Sequence, residues 1–288
     1  MNPVRLLSVV IPFLDAEATL AEQLEALATQ QWPAWEVVLA DNGSRDGSRG
    51  IAEAFASRLP GFRVIDAAER PGSAHARNRG AAEARGDAFV FCDADDVVGE
   101  GWLAAMARAL DEHPVVASRF DVLRLNPFAP FETHPQSSGL NPYVYPPYLP
   151  HAGGSGLGVR REIHERLGGF DERYPCLEDT DYCFRAQLAG VPLWFANDAL
   201  VHVRLRQETG ALFRQMWRFG KHNVQLYSRY REHGMPRRGV LPGAFRWAKL
   251  VLRVPTTVTA RGRRRWIAQL GWRLGRLEGC VVYRALAP

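Results

Sequence analysis

The chain has 288 residues, of which 47% are apolar, so it can bury a large core without disulfides or a structural metal. Its four cysteines show no CxxC spacing, which argues against a zinc site or a disulfide framework and is typical of a reducing cytoplasm. No stretch reaches the roughly 20 apolar residues that a membrane-spanning helix needs.

The net charge of +5 is unevenly distributed along the chain. Residues 237–288 hold twelve arginines and lysines and one acid, Glu278, whereas the rest of the chain holds 24 basic and 30 acidic side chains. This asymmetry favours an anionic surface as the binding partner of the basic tail. It argues against a protein that binds nucleic acid over its whole surface. We therefore expect an acidic domain over residues 1–236 and a basic helical extension over residues 237–288.

Short β-branched runs alternate with helical stretches through the first part of the chain, which is the pattern of parallel βαβ units. Strands are predicted at residues 7–11, 37–40, 62–65, 88–92 and 115–118. Leu20, Leu24 and Leu27 recur on one helical face, and further helices are predicted after Ser48 and from Trp102. The strands are continuous apolar runs, which predicts a mostly parallel sheet with helices on both faces. Ligands of such sheets bind at the carboxyl ends of the strands.

Residues 121–154 contain seven prolines with aromatic residues between them, which cannot sustain a helix or a central strand. A loop of this length is usually functional or mobile. Beyond it the sequence predicts a strand at 156–159, helices at 161–167 and 180–189, short strands at 193–196 and 200–203, a helix at 211–230, and two basic helices in the extension.

The most specific local signal is the run Asp93-Ala94-Asp95-Asp96 at the end of the fourth predicted strand. Clustered like charges are unfavourable unless a positive group compensates them, and alternate aspartates suit a hard cation such as Mg²⁺ or Mn²⁺. The alternative interpretation is that these aspartates cap the helix that follows them.

Two further segments follow strands at the same predicted edge. Asp41 comes directly after the second strand and can accept hydrogen bonds from a base N–H or a ribose hydroxyl. In the next segment Gly72 permits a close backbone approach, while Arg77 and Asn78 supply cationic and amide donors. The alternative for this second segment is an ordinary solvated helix start.

The pair Glu178-Asp179 opens a predicted helix, and acidic residues commonly occupy that position because they complement the helix dipole. A carboxylate at this position can also receive a proton from a hydroxyl group, and this pair is the candidate for that role. His202 follows a short strand and is a candidate third metal ligand, although a lone histidine is more often structural.

In their order and spacing these segments resemble the family-2 glycosyltransferases. The similarity runs through Ser8–Pro12, the Asp41-Asn-Gly-Ser-Arg-Asp-Gly-Ser run, Ala76–Gly80, Asp93–Asp96, Gly168–Asp171 and Glu178-Asp179, and ends near His202. The resemblance implies the GT-A nucleotide-sugar-binding fold and an inverting, metal-assisted transfer. Where many relatives carry Asn after the first strand's proline, this chain has Asp15.

The resemblance also implies a role for each matching residue. It assigns Asp179 as the general base with support from Glu178, and it assigns Asp95 and Asp93 to the cation, with His202 as the further candidate. The donor-binding residues that it implies are Pro12, Phe13, Asp15, Asp41, Gly72, Arg77, Asn78, Asp93 and Ala94. The implied cofactor is Mn²⁺ or Mg²⁺, and the implied donor is a nucleotide-diphosphate sugar of UDP type.

For the acceptor, a glycan or a lipid-linked sugar, we expect contacts from Asp96 and from the loop residues Tyr143, Tyr145 and Tyr148. Aromatic faces suit sugar rings, but the same tyrosines can equally pack the loop down. Two rival functions stay open: a sugar-phosphate nucleotidyltransferase, although Pro12-Phe-Leu-Asp15 is not a phosphate-binding Gly-rich loop, and a non-catalytic partner in a polysaccharide assembly complex.

The basic extension interleaves arginines with tryptophans and leucines, which is typical of amphipathic helices at an anionic bilayer. This pattern predicts a peripheral position at the inner face of the cell membrane. The alternative is that the helices fold back on the catalytic domain or on a dimer partner, with their arginines solvated.

Overall fold

The computed structural model describes residues 2–130, 132–143, 147–236 and 239–286. Within these ranges the strands are β1 (Leu7–Phe13), β2 (Trp35–Asp41), β3 (Arg63–Asp66), β4 (Ala88–Phe91), β5 (Val97–Val98), β6 (Val115–Asp121), β7 (Leu157–Arg160) and β8 (Leu193–His202). The helices are α1 (Leu20–Ala28), α2 (Ser48–Ala54), α3 (Ser73–Glu83), α4 (Trp102–Glu112), α5 (Arg161–Leu167), α6 (Glu178–Leu188), α7 (Thr209–Tyr230), α8 (Val240–Leu252) and α9 (Ala260–Val282).

All of these strands join one sheet in the order β3-β2-β1-β4-β7-β6-β8-β5. The pairs β1–β2, β1–β4, β2–β3 and β6–β8 are parallel, as predicted for βαβ units. The strand β7 runs antiparallel to both β4 and β6, and β5 runs antiparallel to β8. The α/β class is therefore confirmed, and the sheet is mixed.

One local prediction was wrong, and one short strand was missed. The two short strands expected at 193–196 and 200–203 form one strand, β8, whose pairing with β6 shifts register at Ser118 and Arg119. The strand β5 was not predicted, because two residues are too few to show a periodicity.

Apolar side chains fill both faces of the sheet. One cluster packs Val9 and Ile11 against α1 and α4, and a second places Val10 and Phe91 against α3 and α6. Because successive side chains of a strand point to opposite faces, the continuous apolar run of β1 feeds both clusters. The central strands are thereby fixed, and the residues that follow them are held in place.

Contacts divide the chain into two compact units. The sheet and α1–α6 form the first unit; α7–α9 form the second, together with short segments that include Ala129 and Tyr148. The predicted boundary between residues 236 and 237 stays a prediction. None of the helices in the described ranges is both long enough and apolar enough to cross a bilayer.

Within the second unit, α7 and α9 pack along a seam of glycines. Gly271 and Gly279 lie so close to α7 that an added Cβ would sit 2.6 Å from the carbonyl oxygens of Phe213 and Lys221. Gly275 occupies the same face between them, and a Cβ there would collide with the Trp217 carbonyl. Such small-residue spacing allows two helix backbones to approach closely.

Candidate active site

The candidate site lies at one edge of the sheet, in the first unit. The strands β2, β1 and β4 are neighbours and parallel, so the segments that follow them emerge side by side. Phe13 at the end of β1 pairs with Asp41 at the end of β2, and Asp93 lies two residues beyond β4. The predicted convergence of these segments is therefore present.

The acidic run after β4 forms a compact cluster. Carboxylate oxygens of Asp93, Asp95 and Asp96 all lie within 4.8 Å of one another. Burial raises the pKa of Asp96 well above its ordinary value, and the charges of Asp95 and Asp93 raise it further. Oxygen ligands at this spacing, with an unfavourable concentration of negative charge, fit a hard divalent cation.

The cluster is held by residues that sequence reasoning did not identify. Asp96 is buried and accepts a hydrogen bond of 2.9 Å from the backbone N–H of Arg204. The Arg204 side chain donates to the Asp95 carbonyl at 3.0 Å and to the Glu22 carboxylate at 2.6 Å. The Asp93 N–H donates to the Ser155 hydroxyl at 3.3 Å. The expected contact of Asp96 with an acceptor stays a prediction.

Arg77 on α3 connects the acidic cluster to the start of α6. Its Nη2 donates to Asp93 and its Nη1 donates to Glu178, each at 2.6 Å, and the side chain is 5% exposed. Burial acts against the charged guanidinium, but Asp93, Glu178 and Asp179 outweigh it, so the pKa of Arg77 is raised. Both terminal nitrogens are thus engaged within the protein.

The start of α6 presents Glu178 and Asp179. Glu178 is buried and also accepts a hydrogen bond from the Ser73 hydroxyl at 2.6 Å. Asp179 accepts from the Gly154 N–H at 2.9 Å through Oδ2 and from the Thr180 N–H at 2.6 Å through Oδ1. Burial and the charge of Glu178 raise the pKa of Asp179 to about 6, against the opposing effect of Arg77. A carboxylate with this pKa is well suited to take a proton near neutral pH.

Gly154 has a double role next to this pair. Its N–H holds the Asp179 carboxylate, and a Cβ at this position would lie 2.9 Å from Nη2 of Arg77. Only a residue without a side chain leaves room for the guanidinium at this distance. The run Gly153-Gly154-Ser155 was a recognisable signal in the sequence, but nothing there linked it to Asp179.

Asp41 and Asp15 join the loops that follow β2 and β1. Asp41 is buried, and its Oδ1 accepts from the N–H groups of Gly43 at 3.2 Å and Ser44 at 2.8 Å. Asp15 accepts from the Arg45 N–H at 2.7 Å and has a φ of 47°. Asn and Asp are the residues other than glycine that adopt this backbone region most readily, so an aspartate suits this position.

The remaining predicted donor residues occupy three places. Pro12 and Phe13 end β1, with Phe13 buried, and Ala94, between Asp93 and Asp95 in the chain, is also buried. Gly72 has a φ of 131°, and a Cβ added there would meet no atom within 4 Å, in keeping with an approach to its backbone. The Asn78 amide donates to the Phe170 carbonyl at 2.9 Å and accepts from the Phe170 N–H at 2.8 Å.

His202 is the last residue of β8 and pairs with Val97 of β5. Val97 follows Asp95 by two residues in the chain. Its Nδ1 lies 2.7 Å from Asp121 Oδ2, which leaves Nε2 as the nitrogen for a further partner. Among the described residues, the group close enough to share a cation consists of the three aspartates, without His202. Its role as a metal ligand therefore stays a prediction.

The predicted acceptor tyrosines belong to the second unit. The Tyr143 hydroxyl accepts from the Asn223 amide at 2.7 Å, and the Tyr148 hydroxyl donates to the His233 carbonyl at 3.0 Å. Tyr145 lies outside the described residues. These bonds favour the interpretation that the tyrosines pack the loop down, and a role in acceptor binding stays a prediction.

Comparison with known proteins gives one family and several relatives. The model of glycosyl transferase family 2 matches residues 8–168. Glycosyltransferase AglE of Haloferax volcanii is 26% identical over 224 residues, which are 76% of this chain and 73% of that protein.

Two solved structures show the same fold. The mannosyltransferase PcManGT from Pyrobaculum calidifontis, in complex with GDP-Man and Mn²⁺, is 19% identical with a TM-score of 0.67, over 97% of this chain and 88% of that one. TarS 1-349 of S. aureus, in complex with UDP-GlcNAc, is 19% identical with a TM-score of 0.57, over 94% and 90% of the two chains.

Proposed function

Because the chain belongs to glycosyl transferase family 2, and is thus a glycosyltransferase that uses a nucleotide-sugar donor, we propose that it uses a divalent cation and transfers the sugar with inversion, with Asp179 as the general base. The proposed donor is of UDP type, and the proposed acceptor is a hydroxyl of a glycan or a lipid-linked sugar. The observation that supports this mechanism most directly is the Asp179 carboxylate with a pKa of about 6, held by the Gly154 N–H beside the acidic cluster.

In the proposed reaction, the acceptor hydroxyl attacks the anomeric carbon from the side opposite the diphosphate. The bond from that carbon to the diphosphate oxygen breaks, and Asp179 receives the hydroxyl proton. Asp95 and Asp93 would hold Mn²⁺ or Mg²⁺ with His202, and the cation supplies Lewis-acid stabilisation of the leaving diphosphate. Glu178 and Arg77 keep Asp179 in place through the buried ion pair at the start of α6.

Asp41 and the loop that contains Asp15 are the proposed donor-recognition elements. Both lie where β1 and β2 end, and their carboxylates accept hydrogen bonds from the backbone N–H groups of Ser44 and Arg45. The two solved structures contain GDP-Man and UDP-GlcNAc, which differ in the nucleobase. The nucleobase that this chain prefers therefore needs an experiment.

Thermal stabilisation distinguishes the donors. A ligand that binds only the folded state raises the free energy of unfolding by about 2.7 kcal/mol at 100 times its Kd, so the tighter ligand stabilises more at equal concentration. With Mn²⁺ present, UDP is therefore expected to raise the unfolding temperature more than GDP does. Differential scanning fluorimetry over a nucleotide panel measures this shift. Equal or greater stabilisation by GDP would refute the preference for UDP, but it would not affect the assignment of Asp179 as the general base.

Replacement of Asp95 by Asn is expected to weaken Mn²⁺ binding by about tenfold to 100-fold, the range seen even for residues that support a ligand indirectly. Isothermal titration with Mn²⁺ alone, without donor, measures this affinity. Asp66→Asn is the matched control, because Asp66 also ends a strand of this sheet but lies outside the acidic cluster. An Asp95→Asn protein with wild-type Mn²⁺ affinity would contradict the proposed metal site.

We place this enzyme at the cytoplasmic face of the membrane as part of the same proposal. The four cysteines are free, which is consistent with a reducing compartment. The basic extension supports a peripheral contact with anionic lipid, and such a contact would bring the catalytic unit to a lipid-linked acceptor.

A further inference from the structure

The helix α8 exposes an apolar face that its own packing does not use. Leu241, Phe245 and Leu252 recur at helical spacing on one side, with exposed fractions of 84%, 70% and 79%. Val251 on the edge of this face is 67% exposed. Four large apolar side chains exposed together are unusual for a surface that meets only water.

The opposite face of α8 holds the helix within the second unit. Leu250 is buried at 2% exposure, and the indole N–H of Trp266 on α9 donates to the Leu250 carbonyl at 3.0 Å. Trp247 is partly buried. The helix is therefore anchored by one face while the apolar residues of the other face remain accessible.

The exposed surface continues past the end of α8. A 3₁₀ turn over Val254–Val258 follows the helix, and its two terminal valines are 46% and 84% exposed. We call the exposed residues of α8 and this turn the α8 surface: Leu241, Phe245, Val251, Leu252, Val254 and Val258. The next helix, α9, begins two residues later at Ala260.

Several cations lie in or next to the segments that form the α8 surface. Arg246, Lys249 and Arg253 lie on α8 or at its end, and the first turn of α9 holds arginine and no acidic residue. Arginine at a helix N-terminus opposes the helix dipole, so these charges do not stabilise α9. Burial lowers the pKa of Arg273 on α9, and the charges of Arg246 and Arg253 lower it further.

We propose that the α8 surface inserts into the interfacial layer of an anionic lipid bilayer, with its leucines and Phe245 among the acyl chains and the exposed Lys249 and Arg253 at lipid phosphates. Charge complementarity selects this partner: an apolar strip alone would suit a protein, whereas an apolar strip with exposed cations beside it suits anionic headgroups. The inference specifies the surface for the membrane location proposed above, and it is independent of the transfer chemistry.

Vesicle flotation of the full-length chain tests the proposal. Wild-type protein is expected to float with vesicles of phosphatidylcholine and phosphatidylglycerol and not with phosphatidylcholine alone. The double variant Leu241→Ser/Phe245→Ser is expected to partition about 100-fold more weakly, because it removes two large apolar side chains from the interface. Lys249→Glu/Arg253→Glu is expected to remove most of the dependence on phosphatidylglycerol.

Two controls separate this surface from others. Leu123→Ser/Leu188→Ser changes two exposed leucines of the first unit and should leave flotation unchanged. Sugar transfer to a water-soluble acceptor should be the same in the Leu241→Ser/Phe245→Ser variant and the wild type, so loss of flotation is distinguishable from loss of activity. Absence of wild-type binding to anionic vesicles, equal binding by that variant, or a dimer that covers this face and prevents flotation would overturn the proposal.

Discussion

Replacement of Asp179 by Asn is expected to lower kcat by about 10²–10⁴, the usual contribution of a positioned general base. Asn has nearly the same shape and keeps an oxygen for the Gly154 N–H, but it cannot take the acceptor proton. The Kd for the nucleotide-sugar donor should stay near the wild-type value, since the substitution changes a group that acts on the acceptor. Steady-state kinetics together with donor titration measure both quantities.

The pH dependence gives this prediction a second readout. Because the pKa of Asp179 is raised to about 6, wild-type kcat/KM is expected to fall as the pH decreases below that value, by about tenfold per unit. Asp171→Asn serves as the control, because Asp171 pairs with Arg173 at 2.7 Å outside the buried cluster and should affect neither rate nor profile. If Asp179→Asn turns over at the wild-type rate, another residue is the base.

Replacement of Arg77 by Met is expected to lower the free energy of unfolding by about 3–5 kcal/mol, the usual effect of removing one partner from a buried ion pair. The guanidinium is 5% exposed and holds Asp93 and Glu178 at 2.6 Å each. Without it, two carboxylates close to Asp179 lose their compensating charge. Urea unfolding measures the loss. Transfer should fall as well, because both the acidic cluster and the start of α6 are freed.

Arg79→Met is the matched control for this substitution. Arg79 lies two residues along the same helix and is 39% exposed, with Glu69 at 2.9 Å. Exposed pairs of this kind contribute about 0–1 kcal/mol, so the control should unfold almost as the wild type does. Arg77→Lys keeps the charge, but its ammonium cannot bind both carboxylates as the guanidinium does. Its loss in the free energy of unfolding should lie between those of Arg77→Met and Arg79→Met. A loss below about 1 kcal/mol in Arg77→Met would contradict the need for compensation.

Much of the first unit was predictable because its strands are long apolar runs. β1, β2 and β4 appear in the sequence within a few residues of their observed bounds, and the helices between them follow from apolar spacing. The direction of β7 was not predictable: apolar periodicity locates a strand but says nothing about its neighbours, and β7 pairs antiparallel on both sides.

The candidate site, too, has features that the sequence predicts and features that it does not. The proximity of Asp93, Asp95 and Asp96 follows from three carboxylates at one strand end, and the structure confirms their grouping. The link from Arg77 to Glu178 joins residues far apart in the chain, and no local pattern indicates it. The same holds for Gly154, whose contact with Asp179 depends on how the long loop returns to the sheet.

The glycine seam between α7 and α9 determines how this enzyme can be shortened. Gly271, Gly275 and Gly279 bring the α9 backbone against α7, so the last helix is part of the packing of its unit and is not a detachable anchor. A truncation before α8 would strip one side of α7 and leave its apolar residues exposed, which invites aggregation. Enzyme made without the C-terminal helices would therefore report on a damaged helical unit, and point substitutions on the full chain are the better way to test what the exposed surface does.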